Sequence, residues 1–212
     1  MNESLMPWVA GMSTVAFPII LFAGFALHPK LFAPRLTKDA DDLIAKFRGK
    51  PVFHLGHLLV FVAVPLIVIS FTYTQTVLRG AEKSYGAIGA LIGIIGAIVL
   101  AGDKGALCIV LSAFDTLPTS DFESIRPALQ SIVERRGLLK IFWALPLLPL
   151  GAIIQMIGMI KAGLVPRAGG IAGILGLVLL NNPDIDLISS VGALLLCTAY
   201  VPFGLKILAG IL

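Results

Sequence analysis

Charged side chains are scarce in this chain, and their scarcity indicates its class. Only 13% of the 212 residues are charged, whereas 58% are hydrophobic, and the mean hydropathy is +0.98. A typical soluble domain carries about 25% charged residues. The composition therefore excludes an ordinary soluble domain and predicts an integral membrane protein. A chain of this length has room for about six spans of roughly 20 residues each and little room for a separate soluble domain.

Cysteine is also rare, and common catalytic motifs are absent from the sequence. Cys108 and Cys197 both lie within apolar runs, so a disulfide framework is not expected. The formal charge is +4, but the basic residues flank apolar runs instead of forming one stripe, which argues against nucleic acid as a partner. The sequence has no Walker loop, nucleophile elbow, dinucleotide fingerprint or cysteine metal knuckle. These absences favour a protein that is not an enzyme.

Apolar runs along the chain predict an all-α polytopic membrane helix bundle with about six transmembrane helices. The first run follows a start without Lys or Arg and is longer than the core of a signal peptide, so we interpret it as a retained span. Residues 1–212 then form a single transmembrane domain. The predicted spans cover residues 8–27, 53–77, 85–112, 138–160, 164–180 and 187–208.

Lys and Arg are distributed unevenly among the connections between spans. With the N-terminus outside, eleven of the sixteen basic residues lie on inner segments. The positive-inside rule therefore predicts that both termini are outside and that loops 28–53 and 113–137 are cytoplasmic. Each loop contains an amphipathic segment, so we expect two interfacial helices. Thr37 is the predicted cap of the first helix, and Ser120 with Glu123 is the predicted capping box of the second.

The order span, interfacial helix, span occurs twice in the same orientation. Residues 8–77 and 85–160 would form a parallel repeat, followed by a helical hairpin at 164–208. Identity between the two halves is slight, so common ancestry and independent origin both stay open.

Glycine recurs at intervals of three and four residues in the third and fifth spans. This spacing lets membrane helices approach closely, so we expect both spans at the centre of the bundle. A homodimer face is the alternative use of the same spacing. The glycines that define the two stripes are Gly89, Gly93, Gly96, Gly173 and Gly176.

All three histidines fall on the predicted inner side, close to several acids. His54 and His57 are three residues apart on one helix, where they could share a metal ion with an aspartate. Asp103 continues the glycine stripe of the third span and should point into the bundle, where a carboxylate needs a partner. Lys104 is adjacent and should face another way on a regular helix. Asp103 is therefore either half of a structural clamp or part of an ion- or proton-linked site.

Polar residues crowd the turn between the last two spans. Asn182 is a predicted helix cap with Pro183 in the first helical position, and the acids match the positive end of the sixth span. The alternative is a cation site, because two amides and two carboxylates meet at a helix break. The candidate residues of this turn are Asn181, Asn182, Asp184 and Asp186.

Three short stretches of the sequence resemble segments of small, uncharacterised bacterial multi-span membrane proteins. They read Phe-His-Leu-Gly-His-Leu at 53–58, Gly-Asp-Lys-Gly-Ala-Leu at 102–107 and Leu-Val-Pro-Arg-Ala-Gly-Gly at 164–170. The resemblance implies a multi-pass protein of a bacterial inner membrane. It implies no activity and transfers no functional residue.

Three functions follow from these patterns. The first is a non-enzymatic membrane protein that lies in the bilayer and docks other membrane subunits or a second copy as an accessory subunit. The second is a small cation- or proton-linked transporter or channel that uses Asp103 and the turn at 181–186. The third is a membrane enzyme with a metal held by His54, His57 and an aspartate, and it is the one function of the three that needs a cofactor. A dry interior favours the subunit, and water access to Asp103 favours transport.

Overall fold

The computed structural model describes residues 5–28, 37–182 and 185–212, and it confirms the predicted all-α helix bundle. Helices make up 84% of the structure, and the described residues contain no β-strand. Five helical segments in this part of the chain are long and apolar enough to cross a membrane. The fifth predicted span is shorter: its helix has 14 residues and extends for roughly 21 Å, compared with ~30 Å for a bilayer's hydrocarbon core.

Ten α-helices follow one another along the described residues. Six of them form the bundle: α1 (Leu5–Ala26), α3 (Pro51–Val77), α4 (Lys83–Gly105), α8 (Leu147–Lys161), α9 (Arg167–Leu180) and α10 (Asp186–Leu208). Four short helices lie in the connections: α2 (Ala40–Phe47), α5 (Leu111–Phe114), α6 (Thr119–Phe122) and α7 (Arg126–Val133). The remaining helical segments are the 3-10 turns Gly80–Glu82, Glu123–Ile125 and Gly137–Ala144 and the π-helical segment Ala106–Val110.

The six bundle helices form a closed ring, and side chains on their inner faces form one buried hydrophobic core. Contacts run from α1 through α3, α4, α8, α9 and α10 and return from α10 to α1. The contact between α1 and α10 is the most extensive, and the contact between α8 and α9 is the least extensive. The expectation that the glycine-rich helices α4 and α9 lie at the centre is therefore wrong. Their glycines point towards two neighbours in the ring, so each helix takes a place in the wall.

Facing glycines bring the backbones of neighbouring helices together at four of the six contacts in the ring. In each pair, a Cβ atom added to either glycine would lie within 3.1 Å of the partner glycine's carbonyl oxygen. Real Cβ atoms rarely come this close to backbone, so these contacts require glycine. The pairs are Gly11–Gly204 for α1 and α10, Gly24–Gly56 for α1 and α3, Gly89–Gly151 for α4 and α8, and Gly176–Gly192 for α9 and α10.

All five glycines of the two predicted stripes lie at contacts inside one copy of the chain. Gly89 and Gly96 face the backbone of α8, whereas Gly93 faces an aromatic ring of α3. Gly176 faces α10, and Gly173 faces both Ala199 of α10 and Met156 of α8. The glycines of α4 therefore contact two neighbouring helices, α3 and α8.

The fourth predicted span begins as a 3-10 helix. Gly137–Ala144 is 3-10 helical, and α8 starts only at Leu147, after Pro146. Proline lacks the N–H that an α-helix interior requires, which explains the change of helix type at this point. The 3-10 segment packs loosely, since Leu138 is 94% exposed and Trp143 is 72% exposed.

The loop helices pack against each other and cover one end of the ring, which we name the capped end. Leu43 and Phe47 of α2 form one buried cluster with Phe122 and Leu129 of the α6–α7 segment. Because bundle residues complete this cluster, the apolar flanks lie largely within the protein. The predicted interfacial helices thus form a lid of protein over the bundle.

The capping residues of the loop helices differ from the predicted ones. Asp39, and not Thr37, caps α2, because its carboxylate accepts a hydrogen bond from the N–H of Asp42 at 2.9 Å. Ser120 and Glu123 form no capping box, since α6 begins one residue before Ser120 and has no side-chain cap. The sequence therefore predicts where the two loop helices lie, but the residues that begin them differ from the predicted ones.

Candidate ligand-binding cavity

A cavity of about 410 Å³ lies among the six bundle helices, and we name it the central cavity. All six bundle helices contribute to its wall, and most of the lining side chains are apolar. Its volume lies within the range of about 300–1,000 Å³ that is typical of small-molecule sites. A second cavity of about 290 Å³, the end cavity, lies beside it at the capped end and shares five lining residues with it: Phe25, Lys104, Arg135, Phe142 and Ser189.

Polar side chains line the central cavity at the capped end. They are Lys104, Arg135, Asn181, Asn182 and Ser189. The wall beyond them is formed mainly by aromatic and aliphatic side chains. The cavity is therefore polar at one end and apolar along most of its length.

The central cavity reaches the protein surface beside the 3-10 segment. Trp143 lines the cavity although it is 72% exposed, and Asn181 is a second lining residue that is exposed. Tryptophan is typical of the headgroup level of a bilayer, where its ring can contact both lipid and water. The opening thus has the composition expected at the edge of a membrane.

His28, His57 and Asp186 lie close together at the end cavity. The ring of His28 and the carboxylate of Asp186 form a hydrogen bond of 2.6 Å, which connects the end of α1 to the start of α10. The His28 ring also stacks on His57 at a centroid distance of 4.8 Å. His57 in turn donates through Nδ1 to the carbonyl oxygen of Phe53 at 2.9 Å. Sequence reasoning placed these groups on one side of the protein, but it did not pair His28 with Asp186.

Asp103 and Lys104 form a buried ion pair. The ammonium of Lys104 lies 3.1 Å from Oδ2 of Asp103, and the two side chains are 11% and 8% exposed. The expectation that these neighbours face apart is wrong, because the long lysine stem can bend back towards the adjacent carboxylate. Both residues line the end cavity, and Lys104 also lines the central cavity.

Arg135 lies at the junction of the two cavities in an unusual conformation. Its φ of +50° lies in the left-handed region, which is uncommon for residues other than glycine. The guanidinium lies 5.2 Å from the ring centre of Trp143 and donates a long hydrogen bond of 3.5 Å to the carbonyl oxygen of Phe142. Within the described residues, no carboxylate lies at ion-pair distance from Arg135. Arg135 thus brings a positive charge to both cavities.

The neighbouring Arg136 forms its hydrogen bond outside the cavities. Its Nε donates to the carboxylate of Glu134 at 2.5 Å, away from both cavities. Hydrogen bonds from Gln130 and Arg136 lower the pKa of this exposed carboxyl below its ordinary value. Two adjacent arginines therefore have different surroundings, and only Arg135 faces the cavities.

The side chain of Asn182 forms three hydrogen bonds in the turn before α10. Its side-chain amide donates to the carbonyl oxygen of Leu179 at 2.7 Å and to the hydroxyl of Ser189 at 2.9 Å. Its carbonyl oxygen accepts from the N–H of Ile185 at 2.6 Å. The helix begins at Asp186 with Ile185 in the cap position, so the predicted cap at Asn182 is wrong by three residues. Asn182 stabilises the turn through its side chain instead.

The other predicted residues of this turn do not form one site. Asn181 lines the central cavity, while Asp186 lines the end cavity beside His28. Asp184 and Pro183 lie outside the described residues. The described members of the turn therefore contribute to two different cavities.

A buried hydroxyl lies at the end of the central cavity farthest from the capped end, and the buried Gln155 on α8 lies outside the cavity lining. Tyr200 lines the cavity there and packs edge-on against Phe17 at a centroid distance of 4.8 Å. Within the described residues, the Tyr200 hydroxyl and Oε1 of Gln155 have no hydrogen-bond partner. The side-chain nitrogen of Gln155 donates to the carbonyl oxygens of Phe71 and Gly86 at 3.0 and 3.1 Å. These contacts connect α8 to α3 and α4.

His54 belongs to a different cluster from His57. Its Nε2 lies 3.2 Å from the carboxylate of Asp115, which also accepts the N–H of Gly49 at 2.8 Å. Arg48 donates to the backbone carbonyl oxygen of Asp115 at 3.0 Å, so the cluster connects the α2–α3 turn to the segment after α5. In the described part of the chain, no group of three or more His, Cys, Asp and Glu could hold a metal ion. The structure thus does not bring His54 and His57 together in a shared metal site.

Sequence reasoning missed three residues of these sites. They are Arg135, Tyr200 and Asp115. No short motif surrounds them, and only the ring arrangement brings them to their partners. The spacing of Tyr200 from Ser189 on one helix is a signal that was present in the sequence.

Comparison with known proteins yields no match: no protein-family model, curated protein or solved structure is similar to the chain. The function is therefore inferred from the cavities and the residues that line them.

Proposed function

We propose that this chain is a small membrane transporter that binds its ligand in the central cavity. The observation that carries this proposal is the cavity itself, because six apolar helices leave about 410 Å³ of space beside their buried core. Protein interiors are normally close-packed, with few voids larger than a water molecule. Space of this size at the centre of a small bundle is expected when a ligand has to be accommodated.

Polar groups at one end of the cavity support a transport function over a purely structural one. Charged residues within a membrane bundle are costly, and they are typical of substrate and ion pathways. Here the Asp103–Lys104 pair, Arg135 and the His28–Asp186 pair all line the two adjoining cavities. The proposed pathway begins at these residues and continues into the apolar part of the ring.

We propose further that the capped end faces the cytoplasm of a bacterial inner membrane. Of the Lys and Arg residues that the structure describes, most lie at this end, as the positive-inside rule requires of a cytoplasmic side. The resemblance to small bacterial multi-span proteins supports the choice of membrane. The cavity opening near Trp143 would then lie close to the cytoplasmic leaflet.

Cysteine labelling from each side of the membrane tests the transport proposal without knowledge of the ligand. Ser189 lines both cavities, whereas the adjacent Ser190 is equally buried and lines neither. Ser189→Cys and Ser190→Cys are compared in a chain whose Cys108 and Cys197 are replaced by alanine. The reagent is a sulfonated methanethiosulfonate that does not cross lipid, applied to either side of oriented vesicles.

A transporter with alternating access exposes Ser189→Cys to the reagent from both sides, while Ser190→Cys stays unreactive. Reaction from one side alone would contradict transport and indicate a binding protein. A complete lack of reaction at Ser189→Cys would contradict an accessible cavity.

An accessory subunit is the second candidate, and the loosely packed 3-10 segment favours it. Leu138, Ile141 and Trp143 are all more than half exposed on this segment, which is a surface that another membrane protein could cover. Purification in mild detergent, followed by measurement of the particle mass, tests this function. A defined complex that Leu138→Ser disrupts would support it, and a monomer would contradict it.

A further inference from the structure

The charges inside the central cavity indicate the sign of its ligand. Two basic side chains, Lys104 and Arg135, line this cavity. No Asp or Glu is among the described residues that line it. Asp103 already balances Lys104 at 3.1 Å, so Arg135 carries the net positive charge of the cavity. A guanidinium in such surroundings favours a carboxylate or a phosphate, with which it forms strong, charge-assisted hydrogen bonds.

The shape of the cavity indicates the rest of the ligand. Ser189 at the polar end and Tyr200 at the far end are eleven residues apart on α10, which corresponds to roughly 16 Å along the helix. Apolar residues from several helices line the space between them, including Phe17, Leu21 and Leu148. A long, apolar chain fits this space, whereas a compact polar solute would leave most of it unfilled.

The position of the opening favours a ligand that arrives from the bilayer. The cavity reaches the surface beside Trp143, on a segment whose large apolar side chains are exposed. An amphiphile at the membrane edge would meet this opening with its charged group at headgroup level. Its chain would gain little free energy on moving from lipid into the cavity, because lipid tails are as apolar as the cavity wall. Discrimination between ligands therefore depends on the charged group and on Arg135.

The geometry points to a single-chain amphiphilic anion as the ligand, an assignment that rests on the proposed transport function. Its head group lies between Arg135 and Lys104, and its chain extends along the apolar wall towards Tyr200. The shared chemistry is one negative group on one chain, and fatty acids and alkyl phosphates both provide it.

Saturable binding of radiolabelled laurate to the full chain in phosphatidylcholine nanodiscs tests the assignment. Unlabelled laurate should displace the label, and dodecyltrimethylammonium, a cation with the same chain length, should not. Dodecyl phosphate identifies the head group: displacement shows a site for both anions, and lack of displacement shows a carboxylate site. Both results support a single-chain anion.

Adjacent arginines provide a matched pair of variants. Arg135→Gln should weaken laurate binding by about tenfold, because a hydrogen bond to a charged group contributes roughly that factor. Arg135→Lys retains the charge and should recover part of the affinity. Arg136→Gln, one residue away and outside both cavities, should bind laurate as the unchanged protein does.

A second pair of variants tests the position of the chain. Ala152 lines the central cavity and is 1% exposed, so Ala152→Phe fills part of the space and should abolish binding. Ala168 is exposed on α9 and outside the cavity, and Ala168→Phe should leave binding unchanged. Size-exclusion profiles of the variants show whether each one is folded.

The outcomes separate this ligand from the transport function itself. Equal displacement by dodecyltrimethylammonium, or unchanged affinity in Arg135→Gln, overturns the anionic ligand. Absence of saturable laurate binding to a protein that is labelled at Ser189→Cys from both sides overturns the ligand class and leaves transport standing. Failure of the labelling from both sides overturns transport, whatever binds in the cavity.

Discussion

Replacing Gly96 by alanine should separate α4 from α8 and destabilise the ring. A Cβ atom at this position would lie 2.6 Å from Cα of Leu148, whereas ordinary contacts of this kind begin at 3.4 Å. The backbone of α8 must therefore recede, and a backbone cannot turn aside as a flexible side chain can. Overpacking of this kind costs about 1–3 kcal/mol. Alanine regains ~1 kcal/mol through its higher helix propensity, so the expected net loss is about 0–2 kcal/mol.

Gly102 on the same helix is the matched control. A Cβ atom there would meet only a ring carbon of Phe142 at 3.5 Å, which is ordinary van der Waals contact. Gly102→Ala should therefore be neutral or stabilise the protein by up to ~1 kcal/mol through helix propensity alone. Equilibrium unfolding in mixed micelles, followed by circular dichroism, measures both variants. If Gly96→Ala proves as stable as Gly102→Ala, the close approach of α4 and α8 is refuted.

Two further substitutions test the buried polar groups. Asp103→Asn removes the carboxylate that lies 3.1 Å from Lys104 and should lower the free energy of unfolding by about 3 kcal/mol, whereas Asp103→Asn combined with Lys104→Met should recover most of the loss. Equal instability of the single and double variants would contradict the buried pair. Tyr200→Phe removes a buried hydroxyl that lacks a partner among the described residues and should be neutral or stabilising by up to ~1 kcal/mol in the same unfolding assay. A clear loss of stability in Tyr200→Phe would show that the hydroxyl is paired.

The helices of this protein could be predicted from its sequence because an apolar run of membrane length has few alternatives. The predicted span 53–77 and the observed helix Pro51–Val77 differ at one end by two residues. The 3-10 start of the fourth span could not be predicted in this way, since Pro146 changes the helix type without interrupting the apolar run. Hydrophobicity alone does not distinguish a 3-10 helix from an α-helix.

The arrangement of the helices could not be predicted in the same way. Glycine spacing on α4 shows that neighbours approach closely, but it does not show that Gly93 faces α3 while Gly89 faces α8. Side-chain pairing depends on similar detail. The Asp103–Lys104 pair depends on rotamers, and the His28–Asp186 bond joins residues far apart in the chain.

Contacts between facing glycines are unequally distributed around the ring, and this has a mechanical consequence. Where two backbones touch, helices can separate only by losing the whole contact, so α1 holds α3 and α10 as one stiff unit. Between α8 and α9 no such pair exists among the described glycines, and Gly170 instead meets the side chain of Ile160. Side chains can repack as helices slide, so this junction offers the least resistance when the protein changes shape. Any widening of the interior should begin there, with α9, α10, α1 and α3 moving as one body relative to α4 and α8.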